Sequence, residues 1–181
     1  HKVADIITKA DYLYVSGFSL VNTPQRDAVI TCVTMAKKAH VNVFFDPGSP
    51  DIIRLKKPIF RRMLKLCDVF CPNLDEALAI TNSDTLNDAI RRLKDKNRLV
   101  AIKLGKKGCI LVSENEIIKI PAYSVKCVDS TGAGDAFSAA LIYGLSQKLS
   151  LETIGKFANW FAGETIKHFG PRTFPSKKNI N

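Results

Sequence analysis

The chain has 181 residues, 46% of them apolar, with a formal net charge of +10 at neutral pH. Such a length suits one domain that buries about 70% of its unfolded surface, and we predict a single domain over residues 1–181. Because no apolar run approaches the ~20 residues of a membrane-spanning helix, no membrane partner is expected.

The surplus of positive charge comes from 27 Lys and Arg residues against 17 Asp and Glu. The basic residues are dispersed, for example over residues 54–65 and 91–98, at spacings typical of solvated helix faces. We therefore expect no nucleic-acid partner, although a steeply salt-dependent affinity for DNA or RNA would revive that alternative. The five cysteines form no CxxC pair or zinc pattern, which favours free thiols in the cytoplasm or another reducing compartment.

Strand-like and helix-like patterns alternate along the chain. Apolar runs bounded by glycine or proline predict strands over residues 12–16, 41–45, 69–71, 99–104, 109–112 and 116–120. Apolar residues at helical spacing predict helices over residues 24–39, 59–66, 75–80, 86–95, 134–146 and 151–168. This alternation predicts an α/β fold with a doubly wound, mainly parallel sheet and flanking helices.

The segment Asp129-Ser-Thr-Gly-Ala-Gly-Asp135 is the most informative part of the sequence. Its glycines permit positive φ angles and a close approach of ligand to backbone. The helix predicted to follow directs N–H groups and a partial positive charge at the turn, which suits an anion. Asp135 is better placed as a base that takes a proton from a hydroxyl, so the segment favours a small-molecule phosphotransferase.

Two other phosphate-binding motifs do not fit this segment. No GxxxxGK[ST] P-loop occurs in the chain, and Phe137 stands where a dinucleotide fingerprint needs its third glycine or alanine. A glycine-rich turn capped by aspartate, without a ligand, is the purely structural alternative.

Residues 129–142, Asp-Ser-Thr-Gly-Ala-Gly-Asp-Ala-Phe-Ser-Ala-Ala-Leu-Ile, resemble the C-terminal signature of the ribokinase-like, or PfkB, carbohydrate kinases. The resemblance implies that Asp135 is the catalytic base and that Gly132, Ala133 and Gly134 form the anion hole. It also implies that Asp129 and Thr131 help to hold a monovalent cation such as K⁺, whereas their local alternative is capping of the turn.

The segment Pro72-Asn73-Leu-Asp-Glu76 has two compatible interpretations. Asn73 and Glu76 have the spacing of a helix capping box. The resemblance also implies that this Asn-x-x-Glu motif organises Mg²⁺ through water near the phosphates of ATP, a role that suits a hard cation.

The resemblance further implies a nucleotide site at the turn 103–108 and on the last helix. Gly105 would permit close approach of the nucleotide, and Lys103 stands where many members have threonine, so a hydroxyl contact is not expected there. Asn159 and Gly163 match the Ala/Asn/Gly-rich helix beside the adenine, and an amide can offer both a donor and an acceptor to a base.

The resemblance covers the C-terminal part of a ribokinase-like core, and the N-terminal lid portion is not seen. We expect an ATP-dependent carbohydrate kinase acting on a sugar, with a nucleoside kinase, or a non-catalytic nucleotide- or sugar-binding module, as alternatives. The portion alone is expected to transfer phosphate poorly, because lid closure normally excludes water. A homodimer through a sheet edge or lid is also expected.

Overall fold

Six strands form one mixed sheet, in which the spatial order of the strands follows their order in the chain. We describe them from a computed structural model that covers residues 2–171 and 173–175. The strands are β1 (Tyr12–Ser16), β2 (Asn42–Asp46), β3 (Val69–Phe70), β4 (Leu99–Lys103), β5 (Cys109–Val112) and β6 (Ile117–Ile120). Because β1 to β4 pair in parallel, the predicted α/β fold with a mainly parallel sheet is confirmed.

The strand order differs from that of a complete doubly wound sheet. Such a sheet reverses its order at one point, where ligands bind. Among the six described strands no reversal occurs, since each strand lies next to its neighbour in the chain. The register places Ser16 opposite Asp46 and Phe45 opposite Phe70.

Eight helices are present in the described part of the chain. They are α1 (Lys2–Ile7), α2 (Gln25–Lys38), α3 (Pro50–Leu55), α4 (Lys57–Leu66), α5 (Leu74–Thr81), α6 (Leu86–Leu93), α7 (Ala133–Ser146) and α8 (Leu151–Thr165). The sequence did not predict α1 or α3. The start of α3 has a local signal, because the Ser49 hydroxyl accepts a hydrogen bond from the Asp51 N–H at 3.3 Å and Pro50 is the first helical residue.

The chain divides into two compact units. Among the described residues, the N-terminal unit comprises 2–102 and 112–116, and the C-terminal unit comprises 103–111, 117–171 and 173–175. In the N-terminal unit, Phe44, Phe45, Phe60 and Phe70 are fully buried. The ring of Phe45 lies 5.7 Å from that of Phe60 and 5.6 Å from that of Phe70, centroid to centroid. These rings form the centre of this unit's core.

A capping box begins α5 in the N-terminal unit. The Asn73 side-chain oxygen accepts a hydrogen bond from the Glu76 N–H at 2.9 Å, and the Glu76 carboxylate accepts one from the Asn73 N–H at 2.7 Å. Two N–H groups that the helix cannot satisfy are thereby paired. At its other end, α5 stops at Asn82, which adopts a left-handed conformation with φ of 54°.

The C-terminal unit is built on close contacts between glycines and isoleucines. A methyl group at Gly155 on α8 would overlap the Ile120 side chain of β6. One at Gly144 on α7 would lie 2.8 Å from Ile154 on α8. The absence of side chains at these two positions lets α8 approach both β6 and α7.

Helix α8 ends at Thr165, three residues before the predicted end at His168. The carbonyl of Ile166 accepts hydrogen bonds from the N–H groups of Val128 at 2.8 Å and Asp129 at 3.3 Å. This carbonyl therefore bonds the loop that precedes α7 instead of continuing the helix.

The five cysteines are all free thiols, as the sequence predicts. Cys67, Cys71 and Cys109 are buried, Cys32 is half-buried and Cys127 is exposed. Burial raises the pKa of Cys67 to about 12, although the nearby Arg98 acts in the opposite direction. Across the described residues, the helices are too short or too polar to cross a membrane. The compartment stays a prediction.

Replacing Asn73 with alanine tests the capping box. We expect Asn73→Ala to lower the free energy of unfolding by about 1 kcal/mol, because the Glu76 N–H loses its acceptor. Asn73→Ser is the matched control, since serine caps helices about as well and adds no charge. Urea unfolding would measure both, and an alanine variant as stable as the serine variant would contradict the assignment.

Candidate functional site

The loop before α7 makes its turn at Gly132. This residue is the N-cap of α7 and has a left-handed backbone, with φ of 82° and ψ of −5°. A methyl group there would lie 3.0 Å from both the Cα and the carbonyl oxygen of Pro171. Glycine is therefore required twice, by the backbone conformation and by the contact with Pro171.

Asp129 holds this turn in place through both of its carboxylate oxygens. Oδ1 accepts hydrogen bonds from the Thr131 N–H at 2.9 Å and the Thr131 hydroxyl at 2.7 Å. Oδ2 accepts one from the Gly170 N–H at 3.0 Å. These bonds lower the pKa of Asp129 below its ordinary value, and the bond from the Thr131 hydroxyl contributes most. Asp129 and Thr131 thus cap the turn, as the structural alternative to a cation-binding role predicts. Their role beside a monovalent cation stays a prediction.

The chain that follows α8 is tied to the same loop. Besides the bond from Gly170 to Asp129, the Thr173 hydroxyl donates to the carbonyls of Thr165 at 2.8 Å and Gly170 at 3.1 Å. Together with the bonds that Ile166 accepts, these contacts fix the turn from the C-terminal side. The sequence alone does not reveal that Ile166 and Thr173 support the turn.

The first turn of α7 is accessible from solvent. Asp135 is exposed, and Gly132, Ala133 and Gly134 are half-buried. The Ala133 N–H donates to the Ser130 carbonyl at 3.2 Å, and the Ala136 N–H donates to the Gly132 carbonyl at 2.9 Å. Helix geometry leaves the N–H groups of Gly134 and Asp135 without an intrahelical acceptor. Of the predicted anion hole, Gly134 therefore offers a donor more directly than Ala133 does.

Lys103, the last residue of β4, reaches the start of α7. A methyl group built on Gly134 would lie 3.7 Å from the Lys103 Nζ, and the lysine side chain is half-buried. The Lys103 ammonium group thus lies close to the positive end of the α7 dipole. No local sequence pattern indicates this contact, because the two residues are far apart in the chain.

Gly105 begins the turn between β4 and β5. It has φ of 57°, is exposed, and has no atom within 4 Å of the position that a side chain would occupy. The turn is closed by a hydrogen bond from the Leu104 N–H to the Gly108 carbonyl at 2.8 Å. The side-chain face of Gly105 is therefore open, and its role in nucleotide binding stays a prediction.

Asn159 and Gly163 on α8 have structural contacts. The Asn159 amide nitrogen donates to the carbonyls of Pro121 at 2.9 Å and Ile120 at 3.3 Å, and the residue is 8% exposed. Gly163 lies under Tyr123, whose ring a methyl group there would meet at 2.9 Å. Burial raises the pKa of the Cys109 thiol to about 11, and the nearby Asn159 side chain acts in the opposite direction. The nucleotide roles of Asn159 and Gly163 stay predictions.

Glu76 in the N-terminal unit is 2% exposed, and its Oε2 belongs to the capping box. The described residues contain no cluster of three or more His, Cys, Asp and Glu side chains that would hold a metal by themselves. Magnesium, however, is commonly held by one or two carboxylates together with waters and phosphate oxygens. A single carboxylate supported by Asn73 fits that pattern, and the magnesium role of these two residues stays a prediction.

The sequence model of the pfkB family carbohydrate kinases matches residues 1–179. The chain belongs to the pfkB family. This membership confirms the resemblance that residues 129–142 indicated, and the match runs over nearly the whole sequence.

Two curated relatives illustrate the sequence identity and the coverage of the matches. An "Uncharacterized sugar kinase" of Archaeoglobus fulgidus is 34% identical over 168 residues, which are 93% of this chain and 63% of the relative. "Ribokinase" of Mus musculus is 32% identical over 164 residues, which are 84% of this chain and 49% of the relative. The chain thus spans less than two thirds of the first relative and about half of the second.

A solved structure shares the fold of this pfkB chain. It is a "putative Ribokinase II in complex with ATP and Mg+2" from E. coli, with a TM-score of 0.87 and 26% identity. The match covers 93% of this chain and 56% of the solved one. The predicted ribokinase-like fold is therefore confirmed.

Alanine at Gly132 tests the two constraints on the turn. Gly132→Ala should lower the free energy of unfolding by more than the ~1–2 kcal/mol of a left-handed alanine, because its methyl group also meets Pro171. Gly170→Ala is the matched control, since Gly170 has φ of 89° and nothing within 4 Å. Denaturant unfolding compares them, and equal losses would show that the Pro171 contact is unimportant.

The lowered pKa of Asp129 predicts a pH-dependent stability. A carboxyl group whose pKa is lower in the folded protein stabilises it above the unfolded-state pKa, and this stabilisation is lost as the pH falls through the folded pKa. The stability difference between the wild type and Asp129→Asn should therefore be largest near neutral pH and shrink below about pH 4. Urea unfolding at several pH values measures it, and a difference independent of pH would contradict the prediction.

Proposed function

We propose that the protein transfers the γ-phosphoryl group of ATP to a hydroxyl group of a sugar or a related small molecule. The observation that carries this proposal is the exposed Asp135 in the first turn of α7, next to the N–H group of Gly134. Because this turn is open to solvent, the phosphate of one ligand and the hydroxyl of another can both reach it. Membership of the pfkB family supports the same reaction.

In the reaction, Asp135 acts as the general base. Its carboxylate accepts the proton of the acceptor hydroxyl while the hydroxyl oxygen forms a bond to the γ-phosphorus. The bond between that phosphorus and the oxygen bridging to the β-phosphate breaks, and ADP leaves. The N–H groups at the start of α7 stabilise the charge on the transferring group, because phosphoryl transfer depends mainly on positioning and electrostatics.

Several residues of the C-terminal unit have the charge and the open space that a nucleoside triphosphate needs. The positive end of α7 and the Lys103 ammonium favour an anion, and the open face of Gly105 leaves room for part of the nucleotide. Asn159 and Gly163 remain proposed nucleotide-binding residues on the adenine side. Both also contact the chain that follows β6, at Pro121 and Tyr123 respectively. Asp129 and Thr131 remain proposed neighbours of a K⁺ ion.

Magnesium is the metal that we propose for the reaction. Glu76, oriented by the capping box with Asn73, would hold it through water. When bound, the ion neutralises charge on the phosphates. This proposal is supported by a likeness to a solved structure that contains ATP and Mg²⁺.

The acceptor belongs to the sugars or nucleosides that pfkB relatives phosphorylate, and we propose a sugar first. Steady-state formation of ADP from ATP, measured in the full-length protein with a panel of sugars and nucleosides, identifies it. Phosphorylation of a nucleoside only would favour the alternative of a nucleoside kinase, and nucleotide binding without turnover would favour a non-catalytic module.

Replacing Asp135 with asparagine tests the general base. Asp135→Asn should reduce kcat by about 10²–10⁴-fold while the affinity for ATP changes little, because only proton abstraction is lost. Glu152→Gln is the matched control, since it makes the same chemical change on an exposed carboxylate of α8. Turnover and isothermal titration with ATP measure the two effects, and an Asp135→Asn enzyme of normal kcat would disprove the role.

A further inference from the structure

Helix α4 in the N-terminal unit presents one face that is positive along its whole length. Residues 52–67 contain six basic residues and no acidic one, which is a large share of the chain's net charge of +10. Phe60 and Met63 are fully buried, so the opposite face of α4 is anchored in the core. The positive face is therefore held in a fixed place on the surface.

The cations on this face lack the acidic partners that basic residues have elsewhere. On α6, for example, Arg91 pairs with Asp88 at 2.8 Å. The side chains of Arg61, Arg62 and Lys65 are exposed and make no hydrogen bond or ion pair with any residue that the structure describes. Like charges one helical turn apart repel each other. A bound anion would relieve this repulsion.

The same side chains surround a hollow in the surface. Its volume is about 520 Å³, and it is lined by Lys57, Pro58, Arg61, Arg62 and Lys65. This volume lies within the range of small-molecule binding sites. A site for single-stranded nucleic acid would need aromatic side chains on which bases stack, and this lining has none. The hollow therefore suits a small anion better than a nucleic acid.

We propose that this hollow binds a small molecule that carries two phosphate groups. An arginine can donate two parallel hydrogen bonds to one phosphate, and a lysine supplies a compact positive charge. Lys57 and Lys65 are eight residues apart, so they lie about 12 Å apart along the helix axis. One phosphate group would neutralise the cations at one end only, whereas two phosphate groups joined by a sugar-sized spacer would neutralise both ends.

Isothermal titration of the full-length protein with fructose 1,6-bisphosphate tests the proposal, with fructose 6-phosphate as the single-phosphate comparison at the same ionic strength. Arg61→Gln/Lys65→Gln removes two charges from the hollow. Lys94→Gln/Lys96→Gln is the matched control, since it removes two charges from exposed residues of the same unit. In the wild type we expect the bisphosphate to bind at least about tenfold more tightly than the monophosphate. The variant in the hollow should lose about tenfold in affinity for the bisphosphate, and the control variant none.

Three results of this titration would overturn the proposal. They are equal affinities of the two double variants, equal affinities of the wild type for the two sugar phosphates, and no binding of the bisphosphate to the wild type. A single-stranded RNA of about ten nucleotides serves as a further probe. If it bound more tightly than the bisphosphate and lost affinity in Arg61→Gln/Lys65→Gln, the hollow would instead be part of a nucleic-acid interface.

A second measurement needs no variant and applies even if Arg61→Gln/Lys65→Gln does not fold. Wild-type lysines are acetylated by an N-hydroxysuccinimide ester and the products are quantified by mass spectrometry. Fructose 1,6-bisphosphate should slow acetylation at Lys57 and Lys65 and leave Lys94 and Lys96 unaffected. Equal slowing at all four lysines, or slowing at none of them, would overturn the proposal.

The proposal does not depend on the proposed kinase reaction, because the hollow contains none of the residues assigned to that reaction. Asp135→Asn should therefore bind the bisphosphate as tightly as the wild type does. If this variant lost the binding while Arg61→Gln/Lys65→Gln kept it, the bisphosphate would occupy the proposed active site and the proposal for the hollow would be wrong. If the wild type bound the bisphosphate at the hollow but formed no ADP, only the proposed function would fail.

Discussion

The carboxylate of Asp129 accepts three hydrogen bonds, two from Thr131 and one from Gly170, and these bonds fix the backbone from which α7 starts. The other features of the site depend on that start. Gly132 adopts its left-handed conformation against Pro171 directly after Thr131, one of the residues that Asp129 holds. The direction of the N–H groups in the first turn of α7 follows from the same constraint.

The electrostatic character of the site comes from backbone and side chains of opposite sign. The helix N-terminus and Lys103 are positive, and Asp135 is negative and exposed. A site with this division of charge can receive an anionic group and a hydroxyl side by side. The same residues would be poorly suited to a second anion at the position of Asp135, since like charges repel.

The sequence predicted the strands well where apolar runs are bounded by glycine. The observed bounds of β1 and β5 match the prediction residue for residue, because Gly17 and Gly108 flank them. It missed α3, whose first residue is a proline that also fits a loop. It also extended α8 too far, because Ile166 bonds a distant loop, and no local pattern reports such a bond.

The candidate site divides in the same way. Asp135 and the glycines beside it were predicted from a contiguous segment whose chemistry is local. The proximity of Lys103 to Gly134, and the bonds from Asn159 to the end of β6, depend on residues that only the folded chain brings together. Pattern reasoning therefore predicted the chemistry of the turn but not the contacts that surround it.

Cys127 is an exposed free thiol two positions before Asp129, whereas Cys67, Cys71 and Cys109 are buried. A maleimide fluorophore would therefore react at Cys127 far more readily than at the three buried thiols. Attached there, the dye would lie two residues from Asp129, and a change in its fluorescence on addition of ATP would report binding at the proposed site.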